Sequence, residues 1–287
     1  MSTVPHWIRA VLAVDRVVHS SVRLAALVRS ELLLAGADAA TRHAVNARVF
    51  SAEDTYTPGG PAFAQGLFDW ERDALAHPAF PASGRVLLGG AGGGRELVAL
   101  CDAGYAVDAL EPAPGLYDAL AAVASGRAGV QTFAAGYGDL VDAVVHGHGP
   151  LAALRATRYD AVVLGWASVT HLTDDDELRA LLAALRSLAP TAPVLLSYLG
   201  PDDDGRANGR VEALRRPLRS VLARVTGRSV AEGEGFAPGA GFYRRFAPAQ
   251  MEALAAEAGY GCALHRVQPY PHALLVPRGE TIRTGDR

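Results

Sequence analysis

The feature that most constrains this chain is a glycine-rich loop that directly follows a short apolar segment. Residues 86–88 are aliphatic, and Gly90, Gly92 and Gly94 come next in a G-x-G-x-G spacing. An apolar segment of helical period follows the loop, and a second extended segment then ends on Glu111. Strand, loop, helix and strand in this order predict a β-α-β unit of the kind that binds a nucleotide.

Glycine suits such a loop because it has no side chain. It adopts positive φ angles at little cost and lets a ligand approach the main chain closely. Glu111 stands at the predicted carboxyl end of the second strand, where a carboxylate can accept both hydrogens of a ribose diol. The loop and this carboxylate together predict an adenosine-containing ligand.

The loop differs from the two common phosphate-binding motifs. A dinucleotide fingerprint that starts at Gly90 requires glycine at position 95, but the chain has Arg95 there. A Walker loop requires a lysine, and all 27 basic residues of this chain are arginines. A Rossmann-type oxidoreductase that uses a nicotinamide cofactor stays an alternative, because Glu111 also suits the ribose of that cofactor.

The segment 85–115 instead resembles the first two motifs of the class I S-adenosylmethionine-dependent methyltransferases. In that family a G-x-G-x-G loop holds the methionine and ribose end of the cofactor. The family usually has an acidic residue two positions before the first glycine, to hold the cofactor's amino group, but this chain has Leu88 there. The resemblance therefore leaves the partner of that amino group unidentified. It implies S-adenosyl-L-methionine as the cofactor, with these binding residues: Gly89, Gly90, Ala91, Gly92, Gly94, Glu111 and Pro112.

Later segments extend the resemblance. Strand-like runs at 85–89, 106–111, 130–134, 159–165 and 193–199 alternate with helical periods, which predicts an α/β fold with a parallel, doubly wound sheet. The family ends with a helix and an antiparallel strand pair. The resemblance therefore implies a Rossmann-like, seven-stranded, mostly parallel sheet with helices on both faces.

Two helix boundaries are predicted around this sheet. Thr173 and Asp176 have the spacing of a capping box ahead of a stripe of leucines over 178–188. Gly259 is placed to end the last helix, and two extended segments follow within 260–277.

The first 65 residues are interpreted as an N-terminal helical lid, and 66–287 as the Rossmann-like domain. The apolar face of the first predicted helix carries, at three- and four-residue steps, Trp7, Val11, Val14, Val18 and Val22. A second helix through Leu34 and a third over 38–50 are expected to follow it. An apolar face of this kind also suits a homodimer contact, so both interpretations stay open.

A helical insertion is predicted at about 201–242, where Pro217 indicates a kink or break. Its apolar stripe consists of Val211, Leu214, Leu218, Val221, Leu222 and Val225. Insertions at this place in the family commonly cover the acceptor, so we expect the insertion and the N-terminal helices to form a substrate lid. The arginines are interpreted as a solvated face or as a site for an anionic acceptor: Arg206, Arg210, Arg215, Arg216, Arg219, Arg224 and Arg228.

Residues after the third and fourth strands are further candidates. Asp139 lies where the family often has an acidic partner for the adenine amino group. Gly165 and Trp166 end the fourth strand, where the family contacts the cofactor's methionine portion and the acceptor. Trp166 and Tyr56 are therefore candidates for substrate contact, although tryptophan is equally suited to a core position.

His171 is the candidate general base, because an imidazole titrates near neutral pH and can take a proton from a hydroxyl or amine. A histidine at a helix start can also be purely structural. Glu71 and His272 are further candidates to face the pocket. Methyl transfer depends mainly on holding the two reacting atoms in line, so no strong catalytic motif is required.

The acidic runs 174–176 and 202–204 raise the question of a metal ion. The first run is explained by the preference of carboxylates for the first turn of a helix. Metal-dependent methyltransferases of this fold hold ligands after the fifth strand but also use an aspartate after the fourth, where this chain has the sequence GWAS. We therefore expect no metal.

Composition limits the remaining classes of partner. A net charge of −3 and a pI near 6.3 argue against a nucleic-acid-binding surface. Charged residues interrupt the apolar N-terminal stretches, so neither a signal peptide nor a membrane span is expected. Cys101 and Cys262 are expected to be buried free thiols, in a cytoplasmic protein.

These observations predict methyl transfer from S-adenosylmethionine to oxygen or nitrogen of a small molecule. A non-catalytic relative that only binds the cofactor is a third interpretation, because Leu88 departs from the family pattern.

Overall fold

A computed structural model describes residues 5–201, 209–267 and 270–279. Its strands are β1 Arg85–Gly89, β2 Ala106–Leu110, β3 Val130–Phe133, β4 Ala161–Leu164, β5 Val194–Ser197, β6 Glu234–Ala237, β7 Gly241–Arg244, β8 Tyr260–Arg266 and β9 His272–Pro277. Its α-helices are α1 His6–Gly36, α2 Ala39–Ser51, α3 Pro61–Ala64, α4 Asp69–Leu75, α5 Arg95–Asp102, α6 Pro114–Ala124, α7 Tyr137–His146, α8 Asp175–Leu188, α9 Gly209–Thr226 and α10 Pro248–Glu257. Short 3-10 helices cover Asp54–Tyr56, Ala152–Ala156 and Ser168–His171.

Seven of the described strands form one sheet in the order β3-β2-β1-β4-β5-β9-β8. The first five run parallel, whereas β9 is antiparallel to both β5 and β8. The predicted doubly wound sheet with its antiparallel C-terminal pair is therefore confirmed. The direction of winding reverses at β1, which pairs with β2 on one side and β4 on the other. Such a switch point opens a crevice at the carboxyl ends of the strands, where ligands bind in this class of fold.

The central strands are apolar on both faces because helices cover both sides of the sheet. Leu87 and Leu88 are fully buried and belong to different core clusters. The cluster of Leu87 includes residues of α7, α8 and α10, and the cluster of Leu88 includes residues of α4, α5 and α6. Leu88 is therefore an anchor of the core, directed away from the cluster of Leu87.

The N-terminal prediction of two helices before residue 38 is wrong. One helix, α1, spans this region, since no proline or glycine interrupts residues 6–35. The predicted apolar stripe, represented by Trp7 and Val22, is exposed, and burial begins only at Leu27. No helix among the described residues is both long and apolar enough to cross a membrane.

The insertion also differs from its prediction. Helix α9 continues through Pro217, and Leu214, Val221 and Val225 of its predicted apolar stripe are exposed. Arg219 packs α9 against α1 instead, because it forms an ion pair of 2.7 Å with the buried Glu31.

Arg215 pairs with the same carboxylate at 3.1 Å, so neither arginine is simply solvated. Arg216, Arg224 and Arg228 are exposed. The aspartates at 202–204 and Arg206 lie outside the described residues. The hairpin of β6 and β7, which was not predicted, completes the insertion.

Three smaller predictions can be compared with the structure. Thr173 does not cap α8: Asp174 is the N-cap and accepts the Asp176 N–H, whereas Thr173 is buried and accepts a hydrogen bond from Arg42. Gly259 follows α10 with a φ of +83°, as expected for a residue that ends a helix. The prediction of buried cysteines is wrong, because Cys101 is half-buried and Cys262 is exposed, although both are free thiols.

Candidate functional site

A cavity of about 810 Å³ lies beyond the carboxyl ends of the five parallel strands. Its volume falls within the range of about 300–1,000 Å³ that is usual for small-molecule sites. Two groups of residues line it, and each is named after the role proposed for it below. We call residues 90–93 and 110–113 the cofactor wall, and residues 43–56 of the α2 region, 166–172 and 239–245 the acceptor wall.

The glycine loop has the backbone that its sequence predicts. Gly90, Gly92 and Gly94 have φ angles of +64°, +55° and +98°, values that L residues with side chains rarely adopt. Gly93 is required for a different reason, since a Cβ there would lie 2.4 Å from the carbonyl oxygen of Tyr56. The loop is therefore a closely packed shelf of main chain at the floor of the cavity.

Glu111 is 5% exposed and lines the same cavity. Its two oxygens each accept one backbone N–H, from Gly92 and from Ala113, both at 2.8 Å. Burial raises the pKa of Glu111 to about 7, although these two hydrogen bonds oppose the shift and the nearby Glu96 adds to it. Each carboxylate oxygen has two lone pairs, so both keep the capacity to accept a hydroxyl hydrogen.

The structure places most of the predicted cofactor residues around this cavity. Asp139 lines it, is exposed, and uses Oδ2 to accept the Gly136 N–H at the start of α7. The predicted residues that line the cavity are Gly90, Ala91, Gly92, Glu111, Pro112, Asp139, Trp166, Tyr56 and His171.

Gly89, Gly94 and Gly165 were also predicted as contacts, but they do not line the cavity. Gly165 supports the loop from below: its N–H donates to the Gly89 carbonyl at 2.7 Å. A Cβ on Gly165 would lie 2.2 Å from the Gly90 carbonyl oxygen. Gly94 directly precedes α5 as its N-cap. These glycines shape the cofactor wall rather than form its surface.

His171 lies on the acceptor wall with a defined tautomer. Its Nδ1 is 3.0 Å from the Phe242 carbonyl oxygen, which only accepts, and 3.4 Å from Asn46 Nδ2, which only donates. The shorter contact assigns the hydrogen to Nδ1. Nε2 is then the unprotonated nitrogen, and no described residue forms a hydrogen bond with it. Burial lowers the pKa of His171, and the edge of its ring packs against Phe50 at 4.8 Å between centroids.

Asn46 is a site residue that the sequence analysis missed. The Phe242 N–H donates to Asn46 Oδ1 at 2.7 Å, and Asn46 Nδ2 donates to the Phe242 carbonyl at 2.9 Å. This pair of bonds fixes strand β7 to α2 and so closes the acceptor wall. No local motif signals the role, because the two partners are distant in sequence.

Aromatic rings form one side of the cavity. Trp166 lies 6.1 Å from Tyr56 and 6.0 Å from Tyr270, measured between ring centroids, and both contacts are edge to face. Phe68 packs on the same indole at 4.7 Å. This side therefore offers flat, apolar surface to a ligand.

Glu71 and His272 do not line the cavity, which corrects the prediction for both. Glu71 is buried in an ion pair with Arg95. His272 is buried against Trp70, 4.8 Å away between ring centroids. Both side chains face the core because strand β9 and helix α4 pack there.

The segments predicted to form a lid differ in whether they line the cavity, and a lid stays a prediction. Helix α2 and the β6–β7 hairpin contribute cavity residues, whereas no described residue of α1 or α9 does. The described residues hold no group of three His, Cys, Asp or Glu side chains placed to bind a metal ion.

Comparisons with known proteins give structural matches but no sequence matches. No protein-family model and no curated protein sequence matches the chain. Among solved structures, a SAM-dependent methyltransferase from Methanosarcina mazei matches with a TM-score of 0.50 and 14% identity, over 73% of this chain and 96% of its own.

Two further structures match with the same TM-score of 0.50. A SAM-dependent methyltransferase from Leishmania major is 16% identical, over 83% of this chain and 84% of its own. DhpI, solved in a complex with SAM and HEP, is 20% identical over 82% and 94%. Together with the strand order and the glycine loop, these likenesses establish that the chain has the fold of SAM-dependent methyltransferases.

Proposed function

We propose that this protein transfers a methyl group from S-adenosylmethionine to an oxygen or nitrogen atom of a small-molecule acceptor. The observation that carries the proposal is the cofactor wall, where a glycine shelf and the buried carboxylate of Glu111 meet at the switch point of the sheet. Enzymes with this fold supply the precedent for the chemistry.

The residues present suit an adenosine with a sulfur-bearing chain. Gly90, Ala91 and Gly92 line the cavity, and neither glycine has a side chain of its own to keep a ligand from the main chain. A Cβ on Gly90 would lie 2.6 Å from the Ser168 side chain, whereas the first atom that a Cβ on Gly92 would meet is Tyr56 Cβ at 3.7 Å. Glu111 would accept the ribose hydroxyls, and Pro112 and Asp139 line the region next to it. Trp166 of the acceptor wall also lines the cavity, with its ring 6.1 Å from that of Tyr56.

A nicotinamide dinucleotide fits the same wall less well. Its pyrophosphate belongs at the start of the helix after the glycine loop. Here that helix starts with Arg95 and Glu96, and Arg95 is already paired with the buried Glu71. Two carboxylates against one guanidinium leave this place negative, which repels a pyrophosphate.

The protein's contribution to catalysis is proposed to be positioning and one proton transfer. The bound sulfonium supplies the methyl group to the acceptor. The acceptor wall holds a flat acceptor against Trp166 and Tyr56, and it excludes water from the reacting atoms. Nε2 of His171 takes the proton that the acceptor loses, because its tautomer and lowered pKa keep that nitrogen free.

We also propose a class of acceptor and a cellular compartment. The acceptor is proposed to be a small molecule because the cavity has the volume of a small-molecule site and part of its lining is aromatic. The free thiols of Cys101 and Cys262 support a reducing compartment such as the cytoplasm.

Native mass spectrometry of the purified protein tests the ligand class. We expect a co-purified nucleoside thioether, or its uptake when S-adenosylhomocysteine is added. Titration with reduced nicotinamide cofactor, followed by fluorescence, is the matched comparison. Saturable binding of the nicotinamide cofactor, with none of S-adenosylhomocysteine, would overturn the proposal.

A further inference from the structure

The cofactor proposed above carries an amino acid end with an ammonium group, and this group needs an acceptor. The position that the resembled family fills with an acid is Leu88, which is fully buried in the core of this chain. Leu88 has no polar atom in its side chain and does not line the cavity. The ammonium group must therefore find a carboxylate elsewhere.

Glu96 is a carboxylate beside the expected position of that group. It lies in the first turn of α5, directly after the glycine loop, is 6% exposed and lines the cavity. Its Oε1 accepts from Arg95 Nη2 at 2.6 Å and from the Trp166 N–H at 3.3 Å. These bonds hold the carboxylate between the glycine loop and the residue that follows β4 by two positions.

Charge gives a second, independent indication. Arg95 and Glu71 form a bidentate pair, with Nη1 and Nη2 each 2.6 Å from one carboxylate oxygen. All three side chains are buried, and Arg95 is the only described cationic side chain that hydrogen-bonds either Glu71 or Glu96. With all three side chains ionised, the cluster of two carboxylates and one guanidinium has a net charge of −1, and burial together with the nearby Glu96 raises the pKa of Glu71.

A buried charge without a partner is costly. The amide groups at the start of α5 offset part of that cost for Glu96. Its Oε2 accepts no hydrogen bond from any described residue, so it is available to a donor from the cavity. A ligand cation placed here would complete the cluster and bring its charge to zero.

We infer that Glu96 binds the ammonium group of the cofactor's amino acid end and takes the place of the acid missing at Leu88. The inference rests on the proposed function. Glu71 and Arg95 act as positioning residues. Glu71 holds the guanidinium of Arg95, and Arg95 in turn holds the Glu96 carboxylate. Arg95 lines the cavity and Glu71 does not.

The test compares two ligands on the wild type and on Glu96→Gln, by calorimetric titration. S-adenosylhomocysteine carries the amino acid end, whereas 5′-methylthioadenosine shares the adenosine and thioether but lacks that end. We expect Glu96→Gln to weaken S-adenosylhomocysteine about 10- to 100-fold, as for a hydrogen bond between charged groups. Affinity for methylthioadenosine is expected to stay within about twofold, since that ligand has no ammonium group.

Glu111→Gln is the matched control, because its proposed partner is the ribose. It is expected to weaken both ligands alike. Glu96→Gln leaves the Glu71–Arg95 pair intact, and its unchanged affinity for methylthioadenosine serves as the check on folding. Glu96→Asp, which keeps the charge, is the second variant and is expected to retain more affinity for S-adenosylhomocysteine than Glu96→Gln does.

The outcomes separate the two claims. If the wild type binds neither ligand, the proposed function fails and this inference fails with it. If the wild type binds S-adenosylhomocysteine and Glu96→Gln binds it equally well, the inference is overturned and the proposed function stands. An equal loss for both ligands, in Glu96→Gln or in Glu96→Asp, assigns Glu96 a structural role and also overturns the inference.

Discussion

The two walls of the cavity are built in different ways. The cofactor wall comes from two short segments, 90–93 and 110–113, and its contacts are mostly main chain, as in the bonds from Gly92 and Ala113 to Glu111. The acceptor wall is assembled from side chains of distant segments, as in the bonds between Asn46 and Phe242. Under the proposed function, a fold can keep the first wall while the second varies, so the first wall would set the ligand class and the second the acceptor.

The largest expected effect belongs to the acceptor wall. His171→Ala should reduce kcat at saturating acceptor by about 100-fold or more, the usual contribution of a general base. S-adenosylhomocysteine affinity should change little. Because burial holds the pKa of His171 below its ordinary 6.5, the wild-type rate should fall only in acid.

His43→Ala is the matched control for His171. It lines the same cavity, but its Nε2 pairs with Glu177 at 2.7 Å. We expect its kcat to stay within a few-fold of the wild type. An unchanged kcat in His171→Ala would remove the base and leave catalysis to positioning.

The next largest expected effect is a loss of stability beside the cofactor wall. Gly165→Ala places a Cβ 2.2 Å from the Gly90 carbonyl, so β4 and the glycine loop must separate. We expect a loss of about 1–3 kcal/mol in the free energy of unfolding, as for overpacked core sites. Urea unfolding measures it, and cofactor affinity should fall in parallel.

Gly36→Ala controls for the substitution itself, because a Cβ at Gly36 meets no atom within 4 Å. It should leave the free energy of unfolding unchanged or slightly raised. A Gly165→Ala protein as stable as Gly36→Ala would show that the loop does not depend on this close packing.

The third prediction uses pH to sharpen the role of Glu111. Burial raises its folded pKa from 4.5 to about 7, so the folded protein binds this proton more tightly than the unfolded chain. The associated stability, on the order of 3 kcal/mol, is fully present below pH 4.5 and is lost as pH rises through about 7. Cofactor affinity should instead increase as pH rises through about 7, because the ionised carboxylate accepts the ribose hydroxyls.

Chemical unfolding and calorimetry across this pH range measure both trends. Glu111→Gln does not titrate and should lack both. Equal pH dependence in the wild type and in Glu111→Gln would contradict the assigned pKa shift.

The smallest expected effect tests whether the walls are independent. Asn46→Ala removes both bonds to Phe242 and should cost about 1–2 kcal/mol of stability, since a buried N–H loses its partner. The acceptor KM should rise, because strand β7 loses its link to α2. Unchanged S-adenosylhomocysteine affinity is expected, and a large fall in that affinity would show that the two walls are coupled.

The contrast between local segments and distant segments, which distinguishes the two walls, also explains which features could be predicted from the sequence. Strands β1, β2, β4 and β5 are mostly buried runs between helical periods, and the glycine loop is a local pattern, so both could be predicted. The strands β6 and β7 were missed because each has four residues, and Gly233, Gly235, Gly239 and Gly241 hide their alternation. The length of α1 was not predicted, because the apolar residues in its first half are exposed and do not mark a buried face that continues into its second half.

Within the site, the residues found and missed divide along the two walls. Glu111 ends a strand, so its place followed from local sequence. Asn46 depends on a partner in a distant hairpin, and Glu96 depends on the packing of α4 against α5 through Glu71 and Arg95. No spacing in the chain signals either contact, because tertiary packing alone creates it.

Calorimetric titration of the wild type and of Glu111→Ala with S-adenosylhomocysteine at pH 8 tests the central claim most directly. We predict saturable binding of one ligand per chain in the wild type, weakened at least about 10-fold in Glu111→Ala through the lost hydrogen bonds to a charged group. No detectable heat with millimolar ligand, or equal affinity in the two proteins, would contradict it.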